Sequence, residues 1–251
     1  MTVDVLAIGA HPDDVELGCG GTLLRLARAG RATAVLSLTR GEAGTRGTPE
    51  QRAPEAKAGA ELLGAREMVL LDCGDGGLRF DAAAEDALIA VIRRLRPRVV
   101  LGPPAFDRHP DHERAHRLVR DCCYYAGLAK RDPESGEPHR PSLVLWYMLH
   151  DPVQPTLVVD VTTTWEQKLE AVAAHRSQFP AAPGNGHSEE HDDAPATRVS
   201  SRLFWDAIEG RARHFGLMIG VERGEPFVCD RPLAADDLFL LAPGGARGGA
   251  P

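Results

Sequence analysis

The chain has 251 residues, 43% of them apolar and 26% charged, a composition that supports one α/β domain with a core of its own. A formal net charge of −7 leaves no basic stripe, which argues against nucleic acid and anionic membrane surfaces as partners, and no apolar run approaches the roughly 20 residues that span a bilayer. Met1–Gly9 lacks the charged start and small-residue cleavage site of a secretory leader, so the expectation is a cytoplasmic protein acting on a small molecule.

In chain order, Val3–Ala10 reads as a buried strand and Leu17–Arg28 as a helix closed by Gly30. Thr33–Leu38 is a second strand, and Pro49–Leu63 a helix with Pro at its start and Gly64 past its end. Met68–Leu71 (strand), Ala82–Leu95 (helix, stopped by Pro97) and Val99–Gly102 (strand) continue the alternation, and a helix over Asp111–Gly127 is entered through His109-Pro110. Leu143–Leu149 and Leu157–Val161 are strands, Thr164–Arg176 a helix, and Ser201–Phe215 a last long helix. Such alternation predicts a Rossmann-like, mostly parallel sheet with helices on both faces, in a single domain over 1–251. The irregular stretch 180–197, rich in Gly, Pro, Asp, Glu and His, is a candidate mobile lid.

Cys19, Cys73, Cys122, Cys123 and Cys229 show no Cys-x-x-Cys spacing, so neither a disulfide framework nor a zinc knuckle is indicated. No Gly-x-Gly-x-x-Gly follows the first strand and no Gly-x-Ser-x-Gly elbow is present, which speaks against dinucleotide binding and serine hydrolysis.

Two turns concentrate the chemistry. Ala10-His11-Pro12-Asp13-Asp14 follows the first strand and His109-Pro110-Asp111-His112 the fourth, so both lie at carboxyl ends of strands, where parallel sheets bind ligands. Residues three apart in a turn can face one way, so His11 and Asp14 suit a shared ion with Asp13 beside it. An imidazole and a carboxylate with one further nitrogen suit Zn²⁺ or Fe²⁺ and leave a position open for water. That nitrogen comes from His109 or His112, the other being free for proton chemistry, and Asp111 either orients an imidazole or caps the helix. A rival pattern, His112-Glu113-Arg114-Ala115-His116, matches the H-E-x-x-H of metallopeptidases but leaves His11, Asp13, Asp14 and His109 without a role.

The two turns together resemble the zinc-dependent N-acetylglucosaminyl deacetylases of the LmbE/PIG-L type, whose fold is Rossmann-like. The run Leu38–Thr48, Asp75-Gly76-Gly77-Leu78, Asp107–His112 and His175-Arg176-Ser177-Gln178-Phe179 are similar to the branch that deacetylates N-acetylglucosaminyl malate in bacillithiol biosynthesis. The resemblance implies zinc bound by His11, Asp14 and His112, Asp13 as general base, and His109 as acid or oxyanion stabiliser. It also implies Arg52 and Arg108 as substrate-binding residues, a sugar conjugate as substrate, and a homo-oligomer, hexameric in many relatives. Conjugates of other kinds, a mycothiol precursor or a chitooligosaccharide, are the alternatives. One departure stands out: some relatives use a lid tyrosine on the oxyanion, yet 180–215 contains none, so that role is either unfilled or taken by His109 alone.

Overall fold

The structure is a computed structural model that describes residues 2–180 and 195–234. Its strands are β1 (Val5–Gly9), β2 (Thr33–Ser37), β3 (Met68–Leu70), β4 (Val99–Gly102), β5 (Leu143–Tyr147), β6 (Leu157–Asp160) and β7 (Gly224–Val228). Its helices are α1 (Asp14–Arg28), α2 (Pro49–Leu62), α3 (Ala82–Leu95), α4 (Pro110–Tyr125), α5 (Trp165–Ala173) and α6 (Arg202–Met218). The strands form a sheet in the order β3-β2-β1-β4-β5-β7-β6, parallel from β3 to β5 and antiparallel where β7 lies between β5 and β6.

β1 shows why the strands read as unbroken apolar runs. Val5 and Ala7 join Leu23, Trp165 and Ile208 under α1, α5 and α6, whereas Leu6 and Ile8 face Leu88, Ile92 and Val119 of α3 and α4. A strand covered on both faces buries both of its alternating sets. The helices begin where their caps dictate. Thr48 and Gln51 form a reciprocal capping box ahead of Pro49, and Asp81 accepts the Ala84 N–H at 2.9 Å.

The fold departs from the sequence pattern in several places. α1 starts at Asp14, three residues before its apolar periodicity, and is broken at Cys19 (φ −146°, ψ 19°) within its run of glycines. The helix expected over 164–176 is a 3₁₀ turn at Thr162–Thr164 followed by the shorter α5. β7 gives no strand signal because Gly224 and Pro226 interrupt the pattern. The segment proposed as a lid lies outside the described residues apart from its ends, and among the described residues no helix is long and apolar enough to cross a membrane.

Strand order reverses between β1 and β4, so the connections leaving their carboxyl ends run in opposite directions and open a crevice. Both histidine–aspartate turns lie there.

Candidate active site and metal centre

The turn after β1 is tightly built. The His11 N–H donates to Asp14 Oδ2 at 2.9 Å, and Gly9 leaves no space for a side chain, since a Cβ there would meet both Asp14 Cβ and the His11 carbonyl at 2.9 Å. Asp13, at the cap of α1, has φ 114° and ψ −23°, a conformation rarely tolerated outside glycine and typical of strained functional turns. Arg52 reaches across from α2. Its Nη2 donates to the Pro12 carbonyl at 2.9 Å and lies 3.4 Å from Asp13 Oδ2, while Nη1 donates to the Gly41 carbonyl at 3.0 Å.

The turn after β4 is organised by Asp107. Its Oδ1 accepts the His109 N–H at 3.0 Å and lies 2.8 Å from His112 Nδ1, and its Oδ2 accepts the His150 and Asp151 N–H groups at 2.8 and 3.3 Å. Burial opposes ionisation of this carboxyl, but the His112 and backbone hydrogen bonds hold it far below the usual carboxylate range. His109 caps α4: its Nδ1 accepts the Asp111 N–H at 3.2 Å, so the proton of the neutral ring sits on Nε2. Asp111 takes the Gly76 and Leu78 N–H groups at 2.8 and 3.0 Å, clamping the loop after β3 against the site.

Three groups then meet. Asp14 Oδ1 lies 3.3 Å from His112 Nε2, and Asp14 Oδ2 lies 3.6 Å from His11 Nδ1. Asp14 thus turns one oxygen toward each of two imidazoles, and because donors about 2.1 Å from one tetrahedral ion lie about 3.4 Å apart, His11, Asp14 and His112 are candidate ligands of one divalent cation. The outer nitrogen of each ring has a carboxylate behind it: Asp107 for His112, and for His11 Nε2 both Asp75 Oδ1 at 3.0 Å and Asp111 Oδ2 at 3.7 Å. Carboxylates behind the rings are the usual support of ligating imidazoles. One nitrogen from each of His11, His109 and His112 lies within 4.8 Å of the others, which brings His109 to the edge of the same centre.

Acidic neighbours dominate the electrostatics of the two imidazoles. Burial works to deprotonate the His11 and His112 rings, but Asp111, Asp14 and Asp75 hold His11 well above its ordinary range, and Asp14 and Asp107 hold His112 up at about 9. Asp14 is buried too, and His112 and His11 keep it well below its ordinary value. Asp13 behaves differently. Burial raises its carboxyl to about 6 against the opposing pull of Arg52, close to what a base working near neutrality needs. Burial, then the neighbouring His11 and His112, lower His109.

These groups open into a cavity of about 290 Å³ whose walls also include Leu17, His150, Gln178 and Phe179. A larger surface groove of about 730 Å³ lies between α2 and α5, but carries Glu55, Glu166, Glu170 and Arg176 without an imidazole.

The sequence-predicted residues fall into two groups. His11, Asp13, Asp14, His109, His112, Arg52 and Arg108 all line the cavity. Arg52 is committed to the Pro12 and Gly41 carbonyls and to Asp13, which makes it a brace of the turn rather than a free grip for a substrate carboxylate. Arg108 is exposed at the rim and makes no hydrogen bond or ion pair among the described residues. The peptidase pattern is not assembled. Glu113 is exposed, and His116 packs on the Trp146 ring with its Nδ1 3.2 Å from the Pro103 carbonyl.

Sequence reasoning missed two partners. His150 stacks on His112 at 5.7 Å, and burial pushes it down to about 4, so it is neutral at the cavity wall; its position just past β5 was the available signal. His175 faces Glu16 Oε1 at 3.5 Å, both buried, beside Gly59, where a Cβ would come within 2.8 Å of each.

Comparison with known proteins gives the site a context. Residues 6–123 match the family described as GlcNAc-PI de-N-acetylase, PIG-L. The chain is 36% identical over 190 residues to the diacetylchitobiose deacetylase of Thermococcus kodakarensis, covering 70% of each chain. It is 27% identical over 221 residues, 82% of this chain and 98% of the relative, to the probable N-acetyl-alpha-D-glucosaminyl L-malate deacetylase 2 of Bacillus cereus. Among solved structures, the conserved protein TT1542 from Thermus thermophilus superposes with a TM-score of 0.81 at 37% identity, over 93% of this chain and 97% of that one.

Proposed function

The chain belongs to the PIG-L family of deacetylases acting on GlcNAc-type conjugates, and from that premise we propose that its substrate is N-acetylglucosaminyl L-malate, hydrolysed to acetate and the free amine in the bacillithiol pathway. The observation that carries the chemistry is the placement of Asp13 and His109 on the same cavity wall as His11, Asp14 and His112. These last three would hold the metal, zinc by preference and ferrous iron as the alternative. When bound, the ion supplies Lewis acidity to the acetyl carbonyl and to a water.

The chain's own groups do the rest. Asp13 takes a proton from the attacking water as its oxygen bonds to the acetyl carbon. His109, which lines the cavity and carries its proton on Nε2, donates to the carbonyl oxygen as negative charge develops there. The carbon–nitrogen bond breaks as the proton held by Asp13 passes to the departing glucosamine nitrogen, and Asp13 returns to its carboxylate form. Arg52 keeps the Asp13 carboxylate in place throughout.

The malate assignment rests on Arg108, whose guanidinium, exposed at the rim and without a hydrogen bond or ion pair among the described residues, suits an anionic aglycone. A neutral disaccharide is the second reading, favoured by the higher identity to the diacetylchitobiose enzyme. Acetate release by zinc-loaded protein from the malate glycoside, diacetylchitobiose and an acetylated inositol glycoside separates them. Preference for the malate compound supports the assignment; preference for another keeps the hydrolysis and replaces the pathway. The protein is further taken to be a cytoplasmic homo-oligomer, a hexamer by family resemblance, with Leu203, Leu217 and Met218 exposed on α6 as an apolar face for contact; light scattering checks it.

A further inference from the structure

The reaction above makes no use of a buried ion pair that sits inside α1. Because α1 breaks at the fully buried Cys19, the bond that an unbroken helix makes from the Gly21 N–H to the Leu17 carbonyl needs a substitute. The Gly21 N–H donates to Glu225 Oε1 at 2.9 Å, and the Thr22 N–H and hydroxyl donate to Glu225 Oε2 at 2.7 and 2.6 Å. On the other side of the break, the Leu17 carbonyl accepts from Lys168 Nζ at 2.8 Å and from Arg211 Nη2 at 3.2 Å. Lys168 Nζ closes the circuit on Glu225 Oε1 at 2.6 Å. An ammonium from α5 and a carboxylate from β7 therefore stand in for the helix bonding of the Gly21 and Thr22 N–H groups and the Leu17 carbonyl at the break.

Lys168 and Glu225 are both buried, and removing two charges from water is a costly way to join two helical segments that an apolar, continuous helix would join more cheaply. The break has a geometric effect: it frees the turn Asp14–Gly18 from the axis of the following helix. That turn carries Asp13 at its cap and Asp14 at its start. Arg52 holds its front at the Pro12 carbonyl, and Lys168 and Arg211 hold its rear at the Leu17 carbonyl. Gly18 lies so close to the Tyr147 ring that a Cβ would meet it at 2.2 Å, and the Tyr147 hydroxyl donates to the Ile8 carbonyl of β1 at 2.7 Å.

We propose that Lys168, Glu225 and Arg211 are positioning residues: a charged splint inserted into α1 sets the tilt of the Asp14–Gly18 turn, and with it the placement of Asp13 and Asp14 against His112. The inference rests on the metal site proposed above and adds to it the residues that aim it.

The test uses the full chain with Lys168→Met and Glu225→Gln combined, which removes both charges at similar volume. Zinc affinity is read by chelator competition, coordination geometry by the visible spectrum of the cobalt(II) protein, and kcat and KM are measured separately. The expected result is zinc binding weaker by about 10- to 100-fold, a changed cobalt spectrum, and a lower kcat with KM within about twofold. Leu88→Ala, in the α3 layer on the other face of the sheet, lowers the melting temperature without these effects. A double variant that matches Leu88→Ala in all of these readouts overturns the splint. If the double variant does not fold, Thr22→Val, which removes only the hydroxyl donor to Glu225, decides the matter: weaker zinc binding supports the splint and unchanged binding overturns it. Asp14→Ala separates the two readings. Zinc lost from that variant but held normally by the splint variants overturns the splint alone, whereas zinc retained by Asp14→Ala overturns the site and the splint with it.

Discussion

Asp107→Asn keeps the shape of the side chain and removes one acceptor, which makes its cost traceable. Each Asp107 oxygen serves two donors: Oδ1 the His109 N–H and His112 Nδ1, Oδ2 the N–H groups of His150 and Asp151. An asparagine has one acceptor oxygen and an NH₂ that only donates, so in either orientation two donors face another donor. With the oxygen kept toward His109 and His112, Asp151 is exposed and turns to water, and the half-buried His150 N–H carries the penalty, about 1–3 kcal/mol. For a chain of this size a loss of about 2 kcal/mol lowers the melting temperature by about 4–8 °C. Zinc binding should weaken by about 10- to 100-fold as well, since His112 loses the carboxylate that orients its ring and raises its basicity. Calorimetry on the metal-free protein and chelator competition on the loaded one measure the two quantities. A variant that melts with the wild type and binds zinc within about threefold of it would refute this account of Asp107.

Asp13→Ala is expected to lower kcat by about 100- to 10,000-fold while zinc content stays at the wild-type level; loss of zinc would instead make Asp13 a ligand. Arg108→Ala should raise KM about tenfold for the malate glycoside and leave diacetylchitobiose turnover unchanged, and equal effects on both would remove Arg108 from aglycone recognition. Because carboxylates hold the proton of His112 up to about 9, zinc binding at neutral pH must displace protons, and affinity should rise with pH until that ring is free. Calorimetry in buffers of different ionisation enthalpy counts the protons; none released at neutral pH would contradict the arrangement.

The architecture and the centre of the site were legible because both depend on short-range pattern. Runs such as Val5–Gly9 followed by a turn place their ends at the crevice once the chain is seen to alternate strand and helix. His11 and Asp14 share one turn. What stayed hidden depends on contacts between distant segments. His150 reaches the site only because β5 pairs with β4, and no spacing near residue 150 encodes that pairing. The family resemblance implies Arg52 as a substrate-binding residue, but its guanidinium turns inward to the Pro12 carbonyl, a partner 40 residues away. Lys168 and Glu225, 57 residues apart, carry no local signal of their pairing, because β7, itself without a strand signal, is what brings Glu225 to the break in α1.

The left-handed backbone at Asp13 has an evolutionary side. At φ 114° an aspartate carries conformational strain of about 1–3 kcal/mol that a glycine does not, and its carboxyl is buried next to Asp14. Selection for stability and selection for hydrolysis therefore pull position 13 in opposite directions. In a lineage released from the need for the reaction, Asp13→Gly is among the first substitutions that the fold would welcome. A descendant carrying it would be an inactive protein that melts higher than its ancestor, with His11, Asp14 and His112 unchanged.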